Sequence, residues 1–336
     1  MRDKITVAGR ELQPSPVFKT FWTSAAERHR IYEKRVRGEA PPWTDDPILS
    51  QYKMTNVFRA ADRVSQYLIK DVIYYGNQSP REVVFRTLLF DVFKRVDTWK
   101  LLERELGCQP SWASYDFMFY NYILIGAKAT GKKLFTGSYL MVARPKLGED
   151  TQHGNYLRLV EQLMNDDITR GIPQCGSAEQ VYLALRKYPG IGKFIGYQLL
   201  VDLMYGPHVR YTEDDFVVSG PGCDSGLRKM LGPGVKGIET EVLRYMHEHQ
   251  HLLASEAGTV PPELFGRQMS LGDVEMWCCE TDKYARAAFP EIAAADGRAK
   301  IKTRYDDVNG AARRPVPWFP PKWGINDSAA AAAGIE

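Results

Sequence analysis

Three carboxylates in a row, Glu213-Asp214-Asp215, stand 23 to 25 positions after Gly190 and just ahead of the turn Gly220-Pro221-Gly222. Acids of this kind can take a proton from a substrate or balance a developing positive charge. Upstream, the string Tyr188-Pro189-Gly190-Ile191-Gly192-Lys193-Phe194 carries two glycines one residue apart. They let the backbone turn through conformations that a Cβ would block. The next helix then starts with unpaired amides, where free N–H groups and the helix dipole favour a phosphate. Gly190, Gly192 and Lys193 therefore read as a grip on a DNA backbone, and acids behind such a grip point to chemistry on a base. A third set, Arg59, Arg63, Gln66 and Lys70, recurs at helical spacing with Asp62 beside it. Guanidinium groups suit bidentate binding of phosphate or pyrophosphate.

The elements that must position these groups are mostly helices. Residues 16–37 read as a basic, aromatic-containing helix, stopped by Gly38 and Pro41-Pro42. A longer helix is expected from Asn56 to Tyr75, with Val57, Ala61, Val64, Leu68 and Val72 as its apolar stripe and Arg59, Arg63, Gln66 and Lys70 on another face. Further helices are expected at 80–95, 97–106, 114–123, 153–166 and 177–187. The last of these leads into the hairpin, and helices at 192–204, 237–254 and 272–288 follow it. Phe135 to Val142 suggests a short strand or buried turn. The tail from Arg313 to Trp323 is proline-rich and expected to be extended, and the alanines 329–333 read as a foreign scar. The expected class is mainly α, with regions at 1–150, 151–290 and 291–336, the first two packing around a cleft.

Composition narrows the classes of function. The 336 residues suffice for a large core, and 44% hydrophobic with 25% charged residues is an ordinary globular balance. A net charge of +3 means that a nucleic-acid reading rests on where the charges sit. No apolar run approaches the roughly 20 residues needed to span a bilayer, and the N-terminus lacks the apolar core of a signal peptide. Five cysteines without a CxxC pair suggest reduced thiols and a cytoplasmic setting.

Other motifs carry less. Gly126-Ala127-Lys128-Ala129-Thr130-Gly131-Lys132-Lys133 nearly matches a P-loop, but Lys133 stands where Ser or Thr should hold magnesium, and no strand precedes it. A basic surface loop is the better reading. His247 and His251 share a helical face without a third ligand, and Cys278-Cys279 has no partner pair, so no metal site is assigned.

The hairpin and trailing acids resemble the helix-hairpin-helix DNA glycosylase superfamily, with Phe194 where lyase-competent members carry lysine. A wider resemblance rests on Trp43 to Leu49, Thr55 to Ile69, Phe135 to Tyr139, Glu213 to Gly222 and Cys279 to Tyr284. These strings resemble the phage DNA thymine hypermodification family of amino acid:DNA transferases, also termed α-glutamyl/putrescinyl thymine pyrophosphorylases. That resemblance implies displacement of pyrophosphate from 5-pyrophosphoryloxymethyluracil in DNA by a free amino acid or polyamine. An upstream DNA kinase acting on 5-hydroxymethyluracil would supply the substrate, within the cytoplasm of an infected host. Related helical segments accompany such kinases, and the poor P-loop match favours the transferase step.

In this expected mechanism Asp215, with Glu213 or Asp214, deprotonates the amine or stabilises the cationic ring, while Arg59, Arg63 and Lys70, with or without a magnesium ion, hold the diphosphate. The base leaves the duplex stack. Trp43, Tyr197 or Tyr284 stacks on it, Asn56 and Gln66 read its edge, and Asp45, Asp273, Glu280 and Lys283 complete a base and amino-acid pocket. The alternatives are a monofunctional glycosylase and a non-enzymatic DNA-binding module.

Overall fold

The computed structural model describes residues 2–137, 146–292, 300–301, 303–305 and 316–335. Of the Phe135–Val142 segment, residues 138–142 lie outside the described residues, and Phe135–Gly137 form no strand. The protein is mainly α-helical, with two small two-stranded sheets. In chain order an antiparallel hairpin of β1 (Ile5–Val7) and β2 (Arg10–Leu12) leads into α1 (Pro16–Val36). Then come α2 (Arg63–Tyr67), α3 (Pro80–Phe93), α4 (Val96–Leu106), α5 (Phe117–Ala129), α6 (Gln152–Asn165) and α7 (Ile168–Gln174). They are followed by α8 (Ala178–Leu185), α9 (Lys193–Tyr205), α10 (Pro221–Leu231), α11 (Glu239–Glu248) and α12 (Gln250–Glu256). The strands β3 (Glu263–Leu264) and β4 (Arg267–Gln268), then α13 (Leu271–Ala288) and α14 (Asn326–Ala332), complete the chain. No helix among the described residues is long and apolar enough to cross a membrane.

Two compact units emerge: residues 1–62 with 216–336, and residues 63–215. The first is organised on α1, α10 and α13. Ser15 caps α1, its Oγ accepting the Val17 N–H at 3.2 Å, and Pro16 opens the helix with its φ already set. The helix buries Val17, Phe18, Phe21, Trp22 and Ala25 completely, each large side chain contributing roughly 1.5–3 kcal/mol. Trp277 of α13 donates its indole N–H to the Phe21 carbonyl at 3.0 Å. Helices α10 and α13 touch backbone to backbone: a methyl group at Gly222 would overlap Cys279 Sγ, and one at Gly226 the Cys278 carbonyl oxygen. A Gly-x-x-x-Gly spacing therefore sets this crossing.

The alanines near the C-terminus are part of the fold rather than a scar. They form most of α14, with Ala329 fully buried. Asn326 clasps the preceding chain, accepting the Phe319 N–H at 2.8 Å and donating to the Phe319 carbonyl at 2.9 Å. Phe319 stacks with Trp323, whose ring also lies 4.4 Å from the Arg267 guanidinium. The described part of the tail is thus docked by its aromatic residues, and Pro321–Trp323 turn as a 3₁₀ helix.

The second unit is built round α3, buried on every side from Glu82 to Phe93, as a central helix should be. Its polar groups are matched. Arg86 donates to the carbonyls of Val72 at 2.9 Å and Asn77 at 2.8 Å. Glu82 accepts the N–H groups of Trp112 at 2.8 Å and Ala113 at 3.0 Å. Lys94, left-handed at the helix end, pairs with the buried Asp91 and Asp202.

Candidate DNA-substrate site

The expected helix from Asn56 to Tyr75 is interrupted, and with it the cationic stripe. Arg59–Ala61 form one 3₁₀ turn, Asp62 is extended, Arg63–Tyr67 are α2, and Leu68–Ile73 widen into a π-helix. The break has a local cause. The Asp62 carboxylate accepts the Asn56 N–H at 2.9 Å and Asn56 Nδ2 donates to the Ala61 carbonyl at 2.7 Å, closing residues 56–62 on themselves. Asn56 is 2% exposed and its Nδ2 is held by this loop, so it is not placed to read a base edge.

Arg59 is drawn into the first unit rather than presented to solvent. It is 7% exposed, and its backbone N–H donates to Asp273 Oδ1 at 3.0 Å. Asp273 also forms the capping box of α13 with Ser270, which is a structural use of an acid expected in a pocket. Beside it stands Glu275, which accepts the Gly220 N–H at the start of α10 at 3.0 Å. Burial pushes the Glu275 carboxyl up to about 7, against the lowering effects of that hydrogen bond and of the Arg59 charge.

Elsewhere in the same unit Glu280 accepts the Thr55 N–H at 3.1 Å and pairs with Lys283 at 2.7 Å. Tyr284 donates to Asp46 at 2.7 Å, and these two line a polar pocket of about 350 Å³ with Thr23, Ser24, Glu27 and Asp45. No set of three His, Cys, Asp or Glu among the described residues is arranged to hold a metal ion. Trp43 is only partly exposed; its indole donates to the Glu39 carbonyl at 2.8 Å, and the Arg35 guanidinium covers its ring at 4.8 Å.

In the second unit the expected hairpin is present. Helices α8 and α9 are joined through Tyr188–Gly192, with Gly190 left-handed at φ +81° and the Ile191 N–H returning to the Tyr188 carbonyl at 3.2 Å. Gly192 occupies the N-cap of α9 and offers no side-chain cap, and Gly192 and Lys193 are exposed. That leaves first-turn amides facing outward with a cation beside them. Tyr197 departs from expectation: at 2% exposure its ring is core and cannot stack on an inserted base. The acids after α9 separate into two kinds. Glu213 is buried and accepts from the Tyr205 hydroxyl at 3.3 Å. Asp214 and Asp215 are exposed, Asp215 tying the turn through the Thr212 N–H at 2.6 Å and hydroxyl at 3.0 Å. Arg63 and Lys70 are exposed in this unit, with Gln66 half-buried.

The family model for the helical domain of 5-hmdU DNA kinase matches residues 15–294. The chain belongs to this helical-domain family. A 5-hmdU DNA kinase of Bacillus phage SP10 is 24% identical over 313 residues, covering 86% of this chain and 49% of that protein. The chain therefore spans about half the length of the curated relative it matches. No solved structure matches.

Membership of the 5-hmdU DNA kinase helical-domain family corrects the reading of this chain as an amino acid:DNA transferase. Family and relative both carry the name of a phosphorylating enzyme, an earlier step on the same modified base. The strings behind the transferase reading all lie within the matched residues 15–294. The poor P-loop match was no discriminator either. Gly126–Ala129 belong to α5, so the string is the end of a helix rather than a strand-to-helix phosphate cradle. Sequence reasoning also missed Glu275. Its signal is positional: on α13 it falls four residues after Leu271 and three before Cys278, both buried, so it lies on the buried face of the helix.

Proposed function

We propose that this chain is the DNA-holding part of a system that phosphorylates 5-hydroxymethyluracil in phage DNA. It binds the duplex, extrudes the modified base and presents its hydroxymethyl group to a phosphoryl donor held by a separate nucleotide-binding domain or partner. The family match across residues 15–294 carries this reading. The hairpin, exposed at Gly192 and Lys193, supports the DNA contact, since phosphate contacts at a helix start position a duplex without reading it. Arg63 and Lys70 add exposed cations in the same unit, and Asp214 and Asp215 are exposed carboxylates there, to act on a substrate hydroxyl in this reading. Phosphoryl transfer needs an acceptor oxygen in line with the donor and a carboxylate to take its proton. A divalent cation arrives with the nucleotide in this reading, and no ligands for it are assigned in this chain.

The test is binding of the whole chain to two duplexes of one sequence, carrying 5-hydroxymethyluracil or thymine at the same position, read by fluorescence anisotropy at fixed salt. We expect at least tenfold tighter binding to the modified duplex, reduced toward the thymine value in Asp215→Asn. Equal affinity of the unaltered chain for both duplexes would remove the base-presenting role.

A further inference from the structure

The geometry points to a phosphate-binding site in the second unit, where the last turn of α5, carrying Lys128, meets the first turn of α6. Its inner end is His153, the second residue of α6, which is 1% exposed while neither ring nitrogen has a hydrogen-bond partner. A buried imidazole with a donor and an acceptor both unmatched is uncommon, and the usual explanation is a ligand, ion or water. Its outer end is cationic: Lys128, whose charge acts on the His153 ring, is exposed and pairs with no carboxylate among the described residues, and the exposed Lys132 and Lys133 follow it in the turn after α5.

Three features converge on an anion. Helices α5 and α6 pack against each other, and the Lys128 charge acts on the His153 ring. Burial first, and Lys128 second, push His153 down to about 4, so the ring is neutral and one nitrogen can donate without a competing charge. The first turn of α6 also holds amides without an intrahelical partner: Thr151 Oγ1 takes the Gly154 N–H at 3.0 Å, but the amides of the two preceding residues precede the first intrahelical bond. A phosphate would accept from the imidazole and these amides and would balance Lys128. The opening it needs is confined to a helix terminus, where local opening is cheap. The site thus gives the P-loop-like string a use that its helical backbone otherwise denies it.

The site does not depend on the kinase reading, because a phosphate can belong to a DNA backbone or to a nucleoside triphosphate. The experiment titrates the whole chain, with ¹⁵N-labelled histidine, with inorganic phosphate, an unmodified thymine duplex and ATP in separate arms. The His153 ring signals are assigned by their loss in His153→Gln. We expect at least one arm to shift the His153 ring signals. Lys128→Gln should weaken that ligand five- to tenfold, and Lys236→Gln, an exposed lysine of the other unit, should leave it unchanged. A response to the duplex but not to ATP assigns the site to the DNA backbone, and the Lys128→Gln change then lowers the salt slope of binding by about 1. A response to ATP but not to the duplex assigns it to the phosphoryl donor. Ring signals unmoved in all three arms, or equal affinities for the Lys128→Gln and unaltered chains, would overturn the site, whether or not the chain discriminates 5-hydroxymethyluracil.

Discussion

Two helix pairs in this molecule use the same residue types for opposite ends. At the α8–α9 hairpin, glycine leaves the backbone exposed: Gly190 makes a left-handed turn and Gly192 caps α9 without covering its amides. At the α10–α13 crossing, glycine hides the backbone, because Gly222 and Gly226 let the second helix approach until no methyl group would fit. Charge follows the same division. Lys193 at the hairpin is exposed. Lys229 at the crossing is buried and pairs with Asp282 at 3.1 Å, which also accepts from Ser225 at 2.7 Å and from Arg286. Glycines and charges leave polar groups open at the hairpin, where the protein does not cover them, and make a structural lock at the crossing, where the protein supplies their partners.

The sharpest way to break this contrast is at the lock. Asp282→Ala leaves Lys229 buried without its carboxylate, and we expect a loss of about 3–5 kcal/mol in urea-induced unfolding. The direction of the Asp282 carboxyl agrees. Burial alone would raise it, yet the hydrogen bonds of Ser225 and Arg286 and the charges of Arg286 and Lys229 hold it below its usual range. A loss under about 1 kcal/mol, the size of an exposed pair, would show that the crossing does not depend on this network.

A smaller effect should follow from the other acid of the crossing. Glu275 sits near 7 in the folded chain against an ordinary value of 4.5. The folded state therefore binds this proton more tightly than the unfolded one. The contribution of Glu275 is most favourable below about pH 4.5 and is lost as pH rises toward 7, where the carboxyl must ionise inside the protein. Glu275→Gln keeps an acceptor for the Gly220 N–H but cannot ionise. Its unfolding free energy should lack this slope and exceed that of the unaltered chain above pH 7 by up to ~3 kcal/mol. Parallel pH profiles for the two proteins would place the Glu275 proton elsewhere.

What the sequence made legible were features coded by local chemistry. Gly38 with Pro41-Pro42 after the first helix and the two glycines of the hairpin each state a helix end through backbone constraint or freedom, and each end is found there. Features coded by distant partners were not legible. One nearby feature escaped as well: the apolar spacing continues across Asp62, so the pattern alone extends the helix, and the Asn56 bonds to Asp62 and Ala61 show why it stops. Gly220-Pro221-Gly222 read as a rigid turn, yet Pro221 opens α10, whose glycines make sense only once α13 lies against them. Arg59 looked like a cation for a ligand because nothing nearby in sequence announces Asp273 and Glu275, more than two hundred positions away. The same limit produced the wrong reaction, because the strings behind it lie within the matched helical domain and name no transferred group.

The hairpin side of the contrast predicts the smallest change in stability with a visible change in binding. Gly190→Ala forces a Cβ into a left-handed turn at φ +81°, which costs about 1–2 kcal/mol and tilts the amides that the turn aims outward. Lys193→Gln touches an exposed side chain only, so its unfolding midpoint should match the unaltered chain within about 0.5 kcal/mol. Both should weaken duplex binding, and Lys193→Gln should do so equally for modified and unmodified DNA, because a phosphate contact positions the duplex without reading it. The measurement is anisotropy at two salt concentrations, where loss of one lysine contact lowers the salt slope by about 1. If Lys193→Gln binds both duplexes as tightly as the unaltered chain, the exposed turn is a plain helix connection, and the division between open and closed glycine pairs loses its functional half.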